Sequence, residues 1–377
     1  ASVAGIYADF QTNFKCIHTE FSNINSAGTS LAIDGIRIAT STVNTVTLSN
    51  NYLHHFTSIG SIQAINVIGG TNALINRNRI SFLLATSSSS NSAAVGIVVN
   101  SSTITSSITK NIIYEITHTG ATGSQALGIN LGSGTHLVDN NMISGLHAPN
   151  SSNSTGSVKG IFSNGGTTAS TTRIYHNTIY LDDISNVAGY TSAGFYSGST
   201  VPNLDIRNNV IVNNCDVTIG TRAVAFWKTS VVDNIDNLSN NNLWYAGVPG
   251  SKNLIMYNGT FLLSTLALYK VSATISPAES NAVTENVIFD PIVNGVLRPT
   301  SAVASLIESG GTPISIMTTD FENDNRVLGA PDRGADEGNF TPILPFTLPN
   351  CVTNYFPLNG AVDICQYKSV NLSWSLP

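Results

Sequence analysis

Between residues 1 and 245 the chain alternates apolar and polar residues in short runs, separated by breaks rich in asparagine or glycine. Residues 204–214 show the unit. Leu204 and Ile206 alternate with polar neighbours, Asn208 and Asn209 interrupt, and the alternation resumes around Ile211. Period-two alternation predicts strands. Asparagine tolerates the left-handed backbone that a tight bend between them needs. No stretch of this region carries the 3.6-residue period of a helix over the ~10 residues that a helical repeat requires.

The unit recurs. An Asn-x-Ile/Leu step occurs at Asn51, Asn78, Asn111, Asn141, Asn177, Asn209 and Asn241, at intervals of about 27 to 36 residues. A small residue followed by an apolar one keeps the same beat at Gly5, Gly35, Ala64, Gly96, Gly128, Gly160, Gly194 and Ala225. Repeats of this length, each holding two or three short strands, predict an all-β chain folded as a right-handed parallel β-helix of about eight coils. Coils stack at ~4.8 Å, so equivalent positions form columns along the axis. Columns of Ile, Leu and Val are expected to fill the interior. The Asn column is expected to be structural, a ladder bonded amide to amide from coil to coil.

The rhythm stops after residue 245. Residues 246–340 are expected to close the C-terminal end of the solenoid over its last coil, with a short helix within 261–270. Residues 341–349 contain Pro342, Pro345 and Pro349 and read as a semi-rigid linker. In residues 350–377, Val370, Leu372 and Trp374 alternate as one strand face, the beginning of an immunoglobulin-like or fibronectin-like β-sandwich. The chain opens inside a coil and ends inside a domain, as an excerpt of a longer protein would.

Composition narrows the function. Charged residues make up only 10 % of the chain, and the net charge is −6. That balance argues against nucleic acid, whose phosphates must be neutralised by Lys and Arg. No apolar run approaches the ~20 residues that span a bilayer. Of the four cysteines, Cys16 and Cys215 belong to different coils and read as small buried residues, whereas Cys351 and Cys365 are close enough to pair in an oxidising compartment. No cysteine spacing suits a metal.

Three groups of residues are candidates for chemistry. The residue after each small–apolar step forms a further column: Tyr7, Arg37, Asn66, Val98, Asn130, Phe162, Tyr196 and Trp227. If the preceding apolar residue points inward, this column points outward. Phe162, Tyr196 and Trp227 then make a stripe of rings suited to sugars or to a protein surface, unless residues 246–340 fold back over it. Asp320, Glu322 and Asp324 alternate on one short loop, a pattern that suits Ca²⁺; pairing with Arg326 and Arg333 is the simpler expectation. For catalysis, Lys159, Arg173 and His176 lie within one coil near Asp182, while His54 and His55 have no matching partner in the next coil. No catalytic residue is assigned, and an enzyme is not expected.

Residues 261–337 also carry an ordered series of steps: Leu266 to Tyr269, Asp290-Pro291-Ile292, Leu297 to Ser301, Asp320 to Arg326, and Asp332 to Glu337. In this order they resemble the closing region of secreted and cell-surface right-handed parallel β-helix repeat proteins of Bacteroidota, over about a quarter of the chain. The resemblance implies an exported, extracellular or cell-surface protein sent through the type IX secretion route. It implies no single activity. The expected function is a non-catalytic structural or adhesive module, a stiff rod whose columns offer a repetitive surface to glycans or partner proteins. The alternatives are a β-helix polysaccharide lyase or hydrolase, and an exported cargo held by its secretion machinery.

Overall fold

The computed structural model describes residues 2–26, 32–39, 45–87, 89, 92–165, 170–198, 201, 203–229 and 234–343. Successive coils each lay strands into three sheets. Sheet 1 runs from Ser2–Ala8 and Ala32–Ile38 to Arg222–Lys228 and Asn253–Tyr257, and ends on an antiparallel strand, Leu262–Leu263. Sheet 2 runs from Asn13–Ile17 to Leu204–Arg207. Sheet 3 runs from Glu20–Ser22 and Tyr52–Ser58 to Val210–Asn213 and Leu243–Tyr245. All other pairings between named strands are parallel and join one coil to the next, as in a β-solenoid.

Sheet 2 has seven strands, which marks about seven complete turns rather than eight. In the eighth coil its place is taken by the isolated bridges Leu204↔Ile235 and Arg207↔Asn240. The apolar columns are as expected. Ile36, Ile65, Ile97, Ile129, Ile161, Phe195, Phe226 and Met256 are paired in register and fully buried. Each such side chain contributes ~1.5–3 kcal/mol of burial free energy. The small residue before each of them except Met256, which follows Ile255, has a steric cause. A Cβ at Gly128 would lie 2.5 Å from the Gly160 carbonyl oxygen and 2.7 Å from Cγ2 of Ile143 on sheet 3.

The Asn ladder stands at the turn from sheet 2 to sheet 3, and every amide in it is used. Asn141 is representative. Its Oδ1 accepts the Asn111 N–H and Asn111 Nδ2, each at 2.9 Å. Its Nδ2 donates to Asn177 Oδ1 at 2.9 Å and to the Ile108 carbonyl at 2.8 Å. The rungs are Asn51, Asn78, Asn111, Asn141, Asn177 and Asn209, but the last is Asn242 and not Asn241. The register Leu243↔Val210 fixes the shift. Asn241 instead occupies the left-handed position that precedes every rung, with φ 60°, in line with Lys110, Asn140, His176 and Asn208.

Residues 246–342 belong to the same compact unit as the coils. The helix is Leu266–Lys270, capped by the Thr265 side chain, which accepts the Leu268 N–H. Its Tyr269 is fully buried against Trp244, at the end of the interior stack Phe195–Phe226–Trp244. The rest of the segment does more than cover the last coil. It runs back along the outer face of sheet 3 and its bordering turn. Phe289, Leu297, Ile307, Ala335 and Phe340 cover outward residues of coils five to eight, among them Met142, Tyr180, Val210 and Leu243. Its leading edge reaches the third and fourth coils, where the Asn294 carbonyl accepts from Arg79 at 3.2 Å and Thr319 Oγ1 accepts from Lys110 at 2.8 Å. Pro342 bridges to Ser305 and so belongs to this segment rather than to a linker. Pro345, Pro349, Cys351, Cys365 and the expected β-sandwich start at 350–377 lie outside the described residues.

Candidate functional site

Sheet 3 changes character along its length. In coils five to eight its outward residues are mostly apolar and covered. In coils one to three they include Glu20, Tyr52, His54 and Arg79, and the closing segment stops at their edge, with Gly295 packed on the buried Ile112 and Tyr114 of coil four. A second left-handed column crosses this bare region: Asn23, His55, Phe82, Glu115 and Gly145, with φ between 52° and 58°. For a phenylalanine or a glutamate that conformation costs roughly 1–3 kcal/mol, and such strain clusters at functional sites. The bend throws His55, Phe82 and Glu115 outward, and all three are exposed.

The result is a shallow groove of about 370 Å³ lined by Asn23, Asn25, His55, Phe82, Glu115 and Thr117, among others. Phe82 is 42 % exposed. One side of its ring region is supported by His55, stacked at 4.8 Å, and by the edge of Tyr114 at 5.6 Å. His54 stacks on Tyr52 at 3.9 Å and reaches Glu20 Oε1 with Nε2 at 3.0 Å. Arg79 lies between the rings of Tyr52 and Tyr114, 5.8 Å from each centroid. Beyond Glu115, the absent side chain at Gly145 leaves room for the Glu115 carboxylate: Oε1 is 3.0 Å from where a Cβ would stand. His147 follows on the next coil. Its Nδ1 is 3.2 Å from Asp183 Oδ1, and Asp183 Oδ2 accepts the Ala148 N–H at 2.8 Å. The hydrogen bond to Asp183 raises the His147 pKa against the opposing effect of burial, and the charges of Asp183, Glu115 and Asp182 add to the rise.

The expected aromatic column is in register, Phe162↔Tyr196↔Trp227, and is continued by Tyr257. It faces outward, since Ser163, Ser197 and Lys228 beside it are buried inward. It is not an open platform, however. The rings pack on one another at 5.0–5.2 Å between centroids, leaving Tyr196 7 % and Trp227 4 % exposed. Lys159 closes one flank, its Nζ 4.8 Å from the Phe162 ring and 5.1 Å from that of Tyr196. Burial pulls the pKa of Lys159 down to about 7. Of residues 246–340, the strand Asn253–Tyr257 helps to cover Trp227 through Leu254 and Tyr257, whereas the later part of the segment lies on sheet 3.

The other candidates come apart. Asp320 is buried, with Oδ1 accepting the Asp324 N–H and Oδ2 the Glu337 N–H. Glu322 pairs with Arg298. Asp324 is exposed, and among the described residues no three His, Cys, Asp or Glu side chains group as a metal site. The Ca²⁺ expectation therefore fails: the bridge Thr319↔Asn325 turns this loop into a hairpin that sends alternate carboxylates to different places. Arg326 pairs with Glu337, while Arg333 donates to the carbonyls of Asn241, Leu306 and Asn281. Lys159, Arg173 and His176 are not a cluster either. Lys159 is on sheet 1, Arg173 is on sheet 2, and His176 is buried at the ladder turn against Asn208 Nδ2. Cys16 and Cys215 are free and buried, and burial pushes the Cys215 thiol up to about 12.

His54 and His55 do have partners in neighbouring coils, Glu20 and Phe82. A signal for the groove exists in the sequence. His55, Phe82, Glu115 and Gly145 each stand four residues after a ladder asparagine. Comparison with protein-family models, with curated proteins and with solved structures gave no match.

Proposed function

We propose that the chain is a non-catalytic rod module of an exported cell-surface protein, and that the bare stretch of sheet 3 is its saccharide-binding face. The observation that carries this reading is the half-exposed Phe82 ring, held in a strained conformation and bordered by the amides of Asn23 and Asn25, the Thr117 hydroxyl and the Glu115 carboxylate. An apolar ring face with polar groups around it suits a pyranose, whose faces are apolar and whose edge carries hydroxyls. The stacked coils supply a stiff support, and transport by a type IX route remains part of the proposal through the closing-segment resemblance.

The test is a glycan array followed by calorimetry on the best ligand. Phe82→Ala is expected to weaken binding roughly tenfold or more, about 1.4 kcal/mol, and Trp227→Ala to leave it within about twofold of wild type once folding is matched. Binding lost only in Trp227→Ala would return the face to sheet 1.

A second reading rests on His147. A histidine held by a buried carboxylate beside two exposed acids, Glu115 and Asp182, is a set able to move protons. A reducing-end assay on the same ligand separates the two readings. Turnover abolished by His147→Ala would make the chain a hydrolase; bound glycan recovered intact keeps it a binding module.

A further inference from the structure

We propose that Glu20, His54 and His55 form a proton relay that makes the sheet 3 groove bind anionic saccharides on acidification. The inference rests on the saccharide-binding reading of that groove and adds its ligand class and its control.

The geometry fixes the protons. His54 Nε2 is 3.0 Å from Glu20 Oε1, and His54 Nδ1 is 2.6 Å from His55 Nδ1. An ionised carboxylate only accepts, so His54 Nε2 carries hydrogen. A neutral His54 then has a bare Nδ1, and His55 Nδ1–H must be the donor to it. One acceptor thus sets both tautomers, and His55 is left with Nε2 as its lone-pair atom. That ring lines the groove and stacks on Phe82.

The same chain decides where the next proton goes. On His55 Nε2 it leaves both contacts intact. On His54 Nδ1 it would set two N–H groups against each other across 2.6 Å. The imidazolium formed at His55 is supported by Glu20 through His54 and lies against an aromatic face. Its other neighbours do not compete for the role. Tyr52 stacks on His54, and Arg79 is held between Tyr52 and Tyr114 and donates to the Asn294 carbonyl. Glu115 is the acid that also lines the groove, and no lysine or arginine lines it among the described residues. His55 is therefore the cation that this groove acquires. A carboxylated or sulfated sugar placed on Phe82 meets it, whereas a neutral sugar gains nothing from the added charge.

The probe is a galacturonate tetramer, with its methyl ester as the neutral control, titrated by calorimetry at about pH 7.5 and about pH 5.5. The acid tetramer is expected to bind roughly tenfold tighter at the lower pH, and the ester equally at both. His55→Asn, which keeps a residue at ease in the left-handed backbone, should lose the gain, and Glu20→Gln should reduce it. Imidazole ¹⁵N spectra of the full chain at neutral pH should show His55 as the Nδ1–H tautomer and His54 as the Nε2–H tautomer. An acid-independent affinity for the tetramer, or His55 in the Nε2–H form, overturns the relay while leaving a Phe82-dependent ester complex to support the groove. Binding of neither probe at either pH, together with no hit on the array, overturns both.

Discussion

Asn141→Ala is expected to destabilise the protein by about 4 kcal/mol, read as a drop in the midpoint of chemical unfolding. The substitution removes the acceptor of two donors, the Asn111 N–H and Asn111 Nδ2, in a place that water does not reach. Each buried donor left without a partner costs ~1–3 kcal/mol. The Ile108 carbonyl loses its bond to Nδ2 as well. Asn141→Asp should be no better. It keeps the acceptor, but it places a carboxylate oxygen against the Ile108 carbonyl and Asn177 Oδ1, and it buries a charge. Asn51→Ala is the internal comparison. At that end the rung receives the Thr19 N–H, on a residue only partly buried, so water replaces part of what is lost. An Asn141→Ala midpoint equal to that of Asn51→Ala would show that the ladder is not what couples the coils.

The ladder was legible because its chemistry is repetitive. One residue type, at one turn, at one spacing, leaves a mark in the sequence that needs no knowledge of long-range contacts. Where the signal was degenerate it misled by one place: residues 240–242 are all asparagine, and only the strand pairing of Leu243 tells which is the rung. The columns of sheet 1 were legible for the same reason, down to the partners of Trp227. Their exposure was not, since it depends on how neighbouring rings and Lys159 pack around them. The groove was hidden for a different reason. Its extent is set by where the closing segment stops, through contacts such as Arg77 to Asn323, 246 residues apart. Period-two reading also assigns His55, Phe82 and Glu115 to the interior, two places after the inward Leu53, Ile80 and Ile113. A left-handed residue inside a strand breaks that rule, and nothing in a bulky side chain announces it.

Glu279 ends the ladder, and its variant should flatten a pH dependence. Where a further coil would offer an asparagine, Glu279 Oε1 accepts from Asn242 Nδ2 at 2.5 Å and Oε2 faces Trp244 Nε1 at 3.4 Å. The residue is 1 % exposed. Burial pushes its carboxyl up to about 7, against the pull of those two hydrogen bonds and of Lys270 and Arg333. The folded chain therefore keeps a proton that the unfolded chain has released above the ordinary glutamate value of about 4.3. The stability contributed by this group is full below that value and is lost as pH rises through about 7. Across that window the loss is on the order of 3–4 kcal/mol. Asp139, Asp332 and Asp336 are raised in the same sense, so the wild-type slope is shared, and the informative quantity is the difference between variant and wild type. Glu279→Gln keeps an oxygen for Asn242 and cannot ionise. It is expected to match wild type within about 1 kcal/mol near pH 5 and to exceed it by about 2 kcal/mol near pH 8. A difference that stays constant between those two pH values would mean that Glu279 is already charged in the fold, with Arg333 or Lys270 as its counter-ion. The solenoid end would then be held by an ion pair and not by a neutral acid standing in for the next asparagine.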